Sequence, residues 1–318
     1  MKAIVQEGYG SPNVLHLREI DRPIPSDGRL LVRVRAASVN AADWHLMGLL
    51  PHVIGRFLGS SASRVRGGDL AGIVEAVGAN VTRFRPGDEV FGVGPGAFAE
   101  YAAAREDRLA PKPRNLTFEQ AAALPIAGCT ALQGLRDKGQ VRAGQKVLIY
   151  GAGGGVGTYA VEIAKALGAH VTAVTRTENL DLIRSIGADE VVDYTKEDFT
   201  RRGQRYDVLF DIGSDRSSAD CLRVLSPNGK LVLVGAPRGT WAILSRVLEM
   251  TLMPRRGGRR VTFMARAAPE DLVALKDLAE AGKLTPVIDR QYSLSETAEA
   301  LSYLGTSRVR GKLVIHVG

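Results

Sequence analysis

Only two of the 318 residues are cysteines, Cys129 and Cys221. Two thiols exclude both a disulfide framework and a structural zinc site built from four cysteines, and each reads as a small core residue. Aromatic residues are scarce, at 6%, which removes the stacking platform that single-strand nucleic-acid binders use. No stretch reaches the roughly 18 uninterrupted apolar residues that span a bilayer. The opening MKAIVQEGYG has no apolar secretory core, so cytoplasmic residence without a membrane partner is expected. Acidic charge is in deficit, leaving a net charge of +8. The basic residues are mostly scattered singly, with one cluster at Arg255, Arg256, Arg259 and Arg260. Attraction of a small polyanion is a simpler use of that charge than nucleic-acid binding, and no nucleic-acid partner is expected.

Against these absences stands one organised stretch, Lys146 to Gly168, KVLIYGAGGGVGTYAVEIAKALG. Val147, Leu148, Ile149 and Tyr150 read as a strand buried on both faces, ended by a run of glycines. Val156, Ala160, Ile163, Ala164 and Leu167 then fall on one helix face, which Gly168 can close in a left-handed cap. The first N–H groups of a helix lack internal partners and carry the positive end of its dipole, so a phosphate fits such a turn. Ala152-x-Gly154-x-x-Gly157 follows the dinucleotide pattern with alanine for the first glycine; Gly154 lets a pyrophosphate approach and Gly157 lets helix and strand pack closely.

Residues 1 to about 120 read as all-β, with many Pro and Gly turns, one of them at Pro86-Gly87-Asp88. Thr117 and Gln120 form a capping-box pattern at the start of helical sequence interrupted near Pro125. Strands then alternate with helices: strands at Lys146–Tyr150, His170–Thr175, Glu190–Asp193, Asp207–Asp211, Lys230–Val234 and Val261–Met264, helices at Tyr159–Leu167, Asn179–Ile186, Lys196–Arg202 and Ser217–Leu225. Such alternation implies a parallel sheet with helices on both faces. Trp241 to Met253 reads as a surface helix or a pocket wall, and a helix is expected over Pro269–Ala281. The last thirty or so residues return to strand-like runs, ending in GKLVIHV, which suggests that the C-terminus rejoins the first domain.

The end of the second strand of the alternation reads Val174-Thr175-Arg176-Thr177. A carboxylate there would accept the ribose hydroxyls of NAD. Arg176 instead offers a planar fork for a 2′-phosphate and Thr175 a hydroxyl donor, so NADPH is expected over NADH.

The whole chain resembles the medium-chain dehydrogenase/reductase superfamily, within it the zinc-independent quinone oxidoreductase and enoyl reductase branch. The segments that carry the resemblance are VRAASVNAADWHLMG, GGDLAGIVEAVG, PGDEVFG, AALPIAGCTALQGL, the GAGGGVG turn, GADEVVDYTKEDF and the terminal GKLVIHV. The resemblance implies a GroES-like β-barrel-type catalytic domain over 1–121 and 286–318, a Rossmann domain with a doubly wound parallel sheet over 122–285, and a cleft where they meet. Zinc-dependent relatives place a metal-ligand Cys and a Gly-His-Glu where this chain has Asn40 and Gly68-Asp69, so no metal site and no zinc are expected. Hydride transfer from NADPH to a quinone or an α,β-unsaturated carbonyl is then the expected chemistry. By resemblance Asn40 faces nicotinamide and substrate, Asp43 holds its loop, and His45 is a candidate hydrogen-bond or proton donor. Cofactor contacts implied in the same way are Thr130, Gly154, Gly155, Val156, Tyr194, Gly235, Ala236, Phe263, Met264 and Lys312, and a homodimer is implied too. Two alternatives stay open: an alcohol or aldehyde oxidoreductase using the same cofactor, and an NADPH-binding regulator without turnover.

Overall fold

The computed structural model describes residues 1–45, 47, 65–213, 216–235 and 259–318. Ala236, the Trp241–Met253 stretch, segment 49–63 and most of 240–260 lie outside the described residues. The chain divides into two units, Met1–Cys129 with Arg266–Gly318, and Thr130–Ala265; the boundaries expected from sequence were 121/122 and 285/286.

In the first unit, β1 (Lys2–Gln6) and β2 (Leu15–Glu19) form an antiparallel pair. β3 (Arg29–Val39) is followed by the short helix α1 (Ala41–His45), then β4 (Asp69–Val77), β5 (Glu89–Val93), β6 (Tyr101–Arg105) and β7 (Leu109–Pro111). The Pro86-Gly87-Asp88 turn precedes β5 as expected, with Gly87 at φ +96°. α2 (Phe118–Ala123) opens on the Thr117–Gln120 capping box, both halves of which form, and α3 (Pro125–Leu132) begins at the proline that interrupts the helix.

In the second unit a π-helical stretch, Gln133–Gly139, leads into β8 (Lys146–Tyr150), α4 (Gly155–Ala166), β9 (His170–Thr175), α5 (Leu180–Ser185) and β10 (Glu190–Asp193). β11 (Tyr206–Ile212), α6 (Ser218–Arg223), β12 (Leu225–Val234) and β13 (Arg260–Thr262) complete it. The six strands run parallel in the order β10-β9-β8-β11-β12-β13. Gly168 and Gly187 both take positive φ, +79° and +104°, ending α4 and α5 before the next strand; this is the near repeat LGAHV/IGADEV given physical form. Lys196–Arg202 was expected to be helical and is not. Asp198 accepts the Thr200 backbone and side chain, Asp193 those of Thr195, and only a 3₁₀ turn forms at Phe199–Arg201. Side-chain caps of this kind compete with the helical ladder.

The chain then returns to the first unit with α7 (Pro269–Glu280), β14 (Ile288–Ser293), α8 (Thr297–Gly305) and β15 (Lys312–His316). α7 packs on β7, and Leu275 lies so close to Gly128 that a Cβ there would sit 2.9 Å from it. That packing puts α7 with the first unit. β15 enters the sheet between β14 and β3, giving the order β14-β15-β3-β4-β5-β7 with β6 also on β3. The first core gathers Ile4, Val32, Leu70, Phe98, Leu301 and Ile315, the second Leu148, Val174, Leu209, Tyr206 and Leu231. No helix among the described residues is long and apolar enough to cross a membrane.

Candidate functional site

In the second unit, β8 and β11 are neighbours whose following connections run to opposite sides of the sheet. A crevice opens at such a switch point, beyond the carboxyl ends of the strands. Three strands end there in positive-φ glycines: Gly151 after β8, Gly213 after β11 and Gly235 after β12, at +83°, +72° and +72°. Gly154 caps α4 in extended conformation, and among the described residues the one atom near a Cβ added to it would be the Gly151 carbonyl oxygen, 3.7 Å away. No other described residue crowds its outer side, and the first N–H groups of α4, at Gly155, Val156 and Gly157, lie in the turn that needs an outside acceptor. Gly157 is where helix and strand meet, since a Cβ would come within 2.2 Å of the Gly151 oxygen.

Gly153 has a role that the dinucleotide pattern does not assign. A Cβ on it would lie 2.2 Å from Asn179 Nδ2 and 2.7 Å from Thr175 Oγ1. Asn179 donates to Thr175 Oγ1 at 3.4 Å, and its Oδ1 is buried with no partner among the described residues. An orphaned acceptor under a glycine turn fits a ligand hydroxyl or a water. Thr175 is only 3% exposed, so its hydroxyl shapes the turn from beneath. Arg176 is half-buried, and among the described residues its guanidinium makes no hydrogen bond or ion pair. Tyr194 stacks on Tyr150 with centroids 5.9 Å apart and donates its backbone N–H to the Thr175 carbonyl. Beside it Asp193, bonded by Thr177 and Thr195, has its carboxyl held down at about 2; burial opposes this, and the donated hydrogen bonds outweigh it. Farther along the sheet, Lys138 lies 5.9 Å over the Phe263 ring, while Met264 is 91% exposed just after β13. Thr130, on α3, is half-buried.

The first unit holds a separate polar cluster, and sheet register builds it. Ser38 on β3 is opposite Asp69, the first residue of β4, and Val39 is opposite Leu313 on β15. Asn40 and Lys312, the next residue in each direction, are thus brought together although 272 positions separate them. Asn40 Nδ2 donates to Asp69 Oδ2 at 2.9 Å, and Lys312 Nζ donates to Asn40 Oδ1 at 2.6 Å and to the Val39 carbonyl at 3.1 Å. Asp69 also accepts from Ser38 Oγ at 3.1 Å and from the Ile126 backbone at 3.3 Å, with Lys312 Nζ 3.9 Å away. Burial pushes the Asp69 carboxyl up and the Lys312 ammonium down. The three donors on Asp69 and the ammonium beside it favour the charged pair.

Asp43 accepts the Asn40 backbone N–H at 2.8 Å, and burial drives its carboxyl up to about 7, with that hydrogen bond opposing. Trp44 lies against Gly305, where a Cβ would come within 2.7 Å of its ring, while His45 is exposed at the end of α1. Asn40, Asp43 and Lys312 are therefore one cluster, His45 makes no hydrogen bond to it among the described residues and lies exposed two residues after Asp43, and Asp69 and Ser38 are members that residue type alone did not mark. Among the described residues no group of three or more His, Cys, Asp or Glu is placed to hold a metal ion.

The sequence matches the Alcohol dehydrogenase GroES-like domain model over residues 26–114 and the Zinc-binding dehydrogenase model over residues 186–315. It is 34% identical to an NADPH-dependent alkenal/one oxidoreductase of Arabidopsis thaliana, over 99% of this chain and 79% of that protein. It is 32% identical to the quinone oxidoreductase of Homo sapiens, over 99% and 97% of the two chains. The structure of a quinone oxidoreductase from Coxiella burnetii superposes with a TM-score of 0.87 at 30% identity, over 100% and 99% of the two chains. With a parallel sheet in Rossmann order, a GroES-like unit rejoined by its own C-terminus and full-length likeness to these proteins, the chain belongs to the quinone oxidoreductase branch of the medium-chain dehydrogenase/reductase superfamily.

Proposed function

We propose that this oxidoreductase uses NADPH to reduce quinones and α,β-unsaturated carbonyls, and that it does so without zinc. The observation that carries the reading is the Arg176 guanidinium at the end of β9, without hydrogen bond or ion pair among the described residues, next to the glycine turn on the N-terminus of α4. A planar cation there suits a 2′-phosphate, and the turn suits a pyrophosphate. The turn at Gly154, Gly155 and Val156 would hold the pyrophosphate and Tyr194 the adenosine side. Thr130, Gly235, Ala236, Phe263 and Met264 are proposed along the rest of the cofactor.

Bound NADPH supplies a hydride. Negative charge then gathers on the acceptor oxygen, and a fixed N–H donor lowers that cost. Asn40 is the proposed donor, Asp43 keeps its backbone in place, and exposed His45 is proposed to return a proton. Independence from zinc is supported by the donor set: Asn40 Oδ1 is taken by a buried ammonium that is also paired with Asp69. A cytoplasmic homodimer is the proposed form. Both cysteines are buried thiols outside any disulfide, which suits a reducing compartment, and among the described residues β13 is the edge of its sheet, which a second copy could extend.

Initial rates with NADPH and NADH, using 1,4-benzoquinone, trans-2-hexenal and hexanal, and with NADP+ and NAD+, using hexanol, test the reading. NADPH-dependent reduction of the first two is expected, unchanged by EDTA dialysis. A charged hydrogen bond contributes about 1.5–3 kcal/mol, so Arg176→Ala should raise KM for NADPH roughly 10- to 100-fold and leave that for NADH nearly untouched. An equal effect on both cofactors would remove the phosphate assignment, and turnover of hexanol alone would favour the alcohol oxidoreductase.

A further inference from the structure

Asparagine is a poor choice for a fixed donor unless something decides which end of its amide is which. The O and NH₂ ends are nearly the same size, and a flip of the group exchanges a donor for an acceptor. At Asn40 the surroundings are polarised along the amide. An acceptor-only carboxylate lies on one side, Asp69 Oδ2 at 2.9 Å from Nδ2, and a donor-only ammonium on the other, Lys312 Nζ at 2.6 Å from Oδ1. A flip would set NH₂ against the ammonium and oxygen against the carboxylate, two repulsive contacts in place of two charge-assisted bonds. Both partners are withdrawn from water, Asp69 at 0% and Lys312 at 3% exposure, so the polarity is felt at close to full strength. Each partner is itself anchored, Lys312 on the Val39 carbonyl and Asp69 by Ser38 and Ile126. Asn40, by contrast, is only half-buried.

We propose that Asp69 and Lys312 are positioning residues, which lock the Asn40 amide in one orientation so that its second Nδ2 hydrogen is a fixed donor to the acceptor oxygen. This rests on the function proposed above, and it gives Lys312 a different task from the cofactor contact that family resemblance implies. A blander role also exists: Lys312 could merely neutralise a buried carboxylate. In that case its loss would act independently of Asn40. An amide clamp instead predicts that losses at Lys312 and Asn40 overlap, because both remove the same donor.

The test uses full-length protein carrying Lys312→Met, Asp69→Asn, Asn40→Ala, and the pairs Asp69→Asn/Lys312→Met and Asn40→Ala/Lys312→Met. Rates are read with NADPH and 1,4-benzoquinone. The Asn40 side-chain NH₂ signals, assigned by their loss in Asn40→Ala, are read by ¹⁵N NMR. Lys312→Met should lower kcat about 10- to 100-fold, the scale of a misplaced or lost oxyanion donor, with KM for NADPH changed less than about twofold. Added to Asn40→Ala it should cost less than about a further twofold. The Asn40 NH₂ signals, resolved and held apart in the wild type, should shift and lose that separation in Lys312→Met. Asp69→Asn/Lys312→Met leaves no lone buried charge, so it provides the same measurements if either single variant fails to fold. Multiplying losses in Asn40→Ala/Lys312→Met, unchanged Asn40 signals in Lys312→Met, or a raised KM for NADPH at constant kcat would each overturn the clamp. If the wild type consumes no NADPH with any acceptor, the proposed function fails on its own, and the NH₂ signals still decide the positioning.

Discussion

At the scale of single residues, Asp43 shows how a turn-former becomes a titrating group. Its side chain accepts the Asn40 backbone N–H at 2.8 Å, a local bond that any Asn-x-x-Asp turn can make. Burial then raises its carboxyl to about 7, the nearby Asp69 charge adding to the rise and the Asn40 bond and Lys312 opposing it. The folded state therefore binds a proton between about pH 4 and about pH 7 that the unfolded chain has released, since an unperturbed Asp titrates near 3.9. Stability from this group is fully present below about pH 4 and is lost as pH rises through about 7. Thermal unfolding followed from pH 4.5 to 8 should show a falling component that Asp43→Asn removes; an identical profile in the variant would refute the shift. The turn itself was legible in the sequence. The titration was not, because it comes chiefly from burial, which only the folded chain imposes on this turn.

At the scale of elements, the glycine turn divides into what a motif can reveal and what it cannot. Gly154 and Gly157 answer to their own strand and helix, so the spacing alone assigns them. Gly153 answers to Asn179, which arrives from the end of the next strand's turn, and no pattern within the glycine run encodes that neighbour. Gly153→Ala should destabilise the turn and weaken NADPH binding, because the new Cβ would sit 2.2 Å from Asn179 Nδ2. Pairing it with Asn179→Ala should recover much of the loss, as read by NADPH-induced shift of the unfolding temperature. No recovery in the pair would mean that Thr175, 2.7 Å from the same Cβ position, is the obstacle. β8, β11 and the end of β12 were legible because strands buried on both faces read as near-continuous apolar runs. α8 falls within the strand-like runs expected of the last thirty or so residues, although Ser293 and Glu296 form a capping box just before it. Its apolar residues serve one face only, and among short strands that weaker period does not stand out.

At the scale of the molecule, the last strand decides whether the first unit closes. β15 lies between β14 and β3, so its removal would open two sheet edges at once. Leu313, Val314 and Ile315 are each at most 1% exposed. At about 1.5–3 kcal/mol for each fully buried side chain, their loss is comparable with the 5–15 kcal/mol that stabilises a typical domain. The same cut removes Lys312, leaving Asp69 buried without its cation. The apolar run of GKLVIHV was enough to suggest that the terminus rejoins the first domain; that it also delivers the partner of Asn40 follows only from register. A chain ended after Gly311 should therefore fail to give soluble, cooperatively unfolding protein. Full-length Lys312→Met, which keeps the strand and loses only the charge, should remain folded with a lowered unfolding temperature. If the shortened chain instead unfolds at the same temperature as Lys312→Met, the strand adds nothing beyond its lysine, and closure of the sheet must come from β3, β4 and β5 alone.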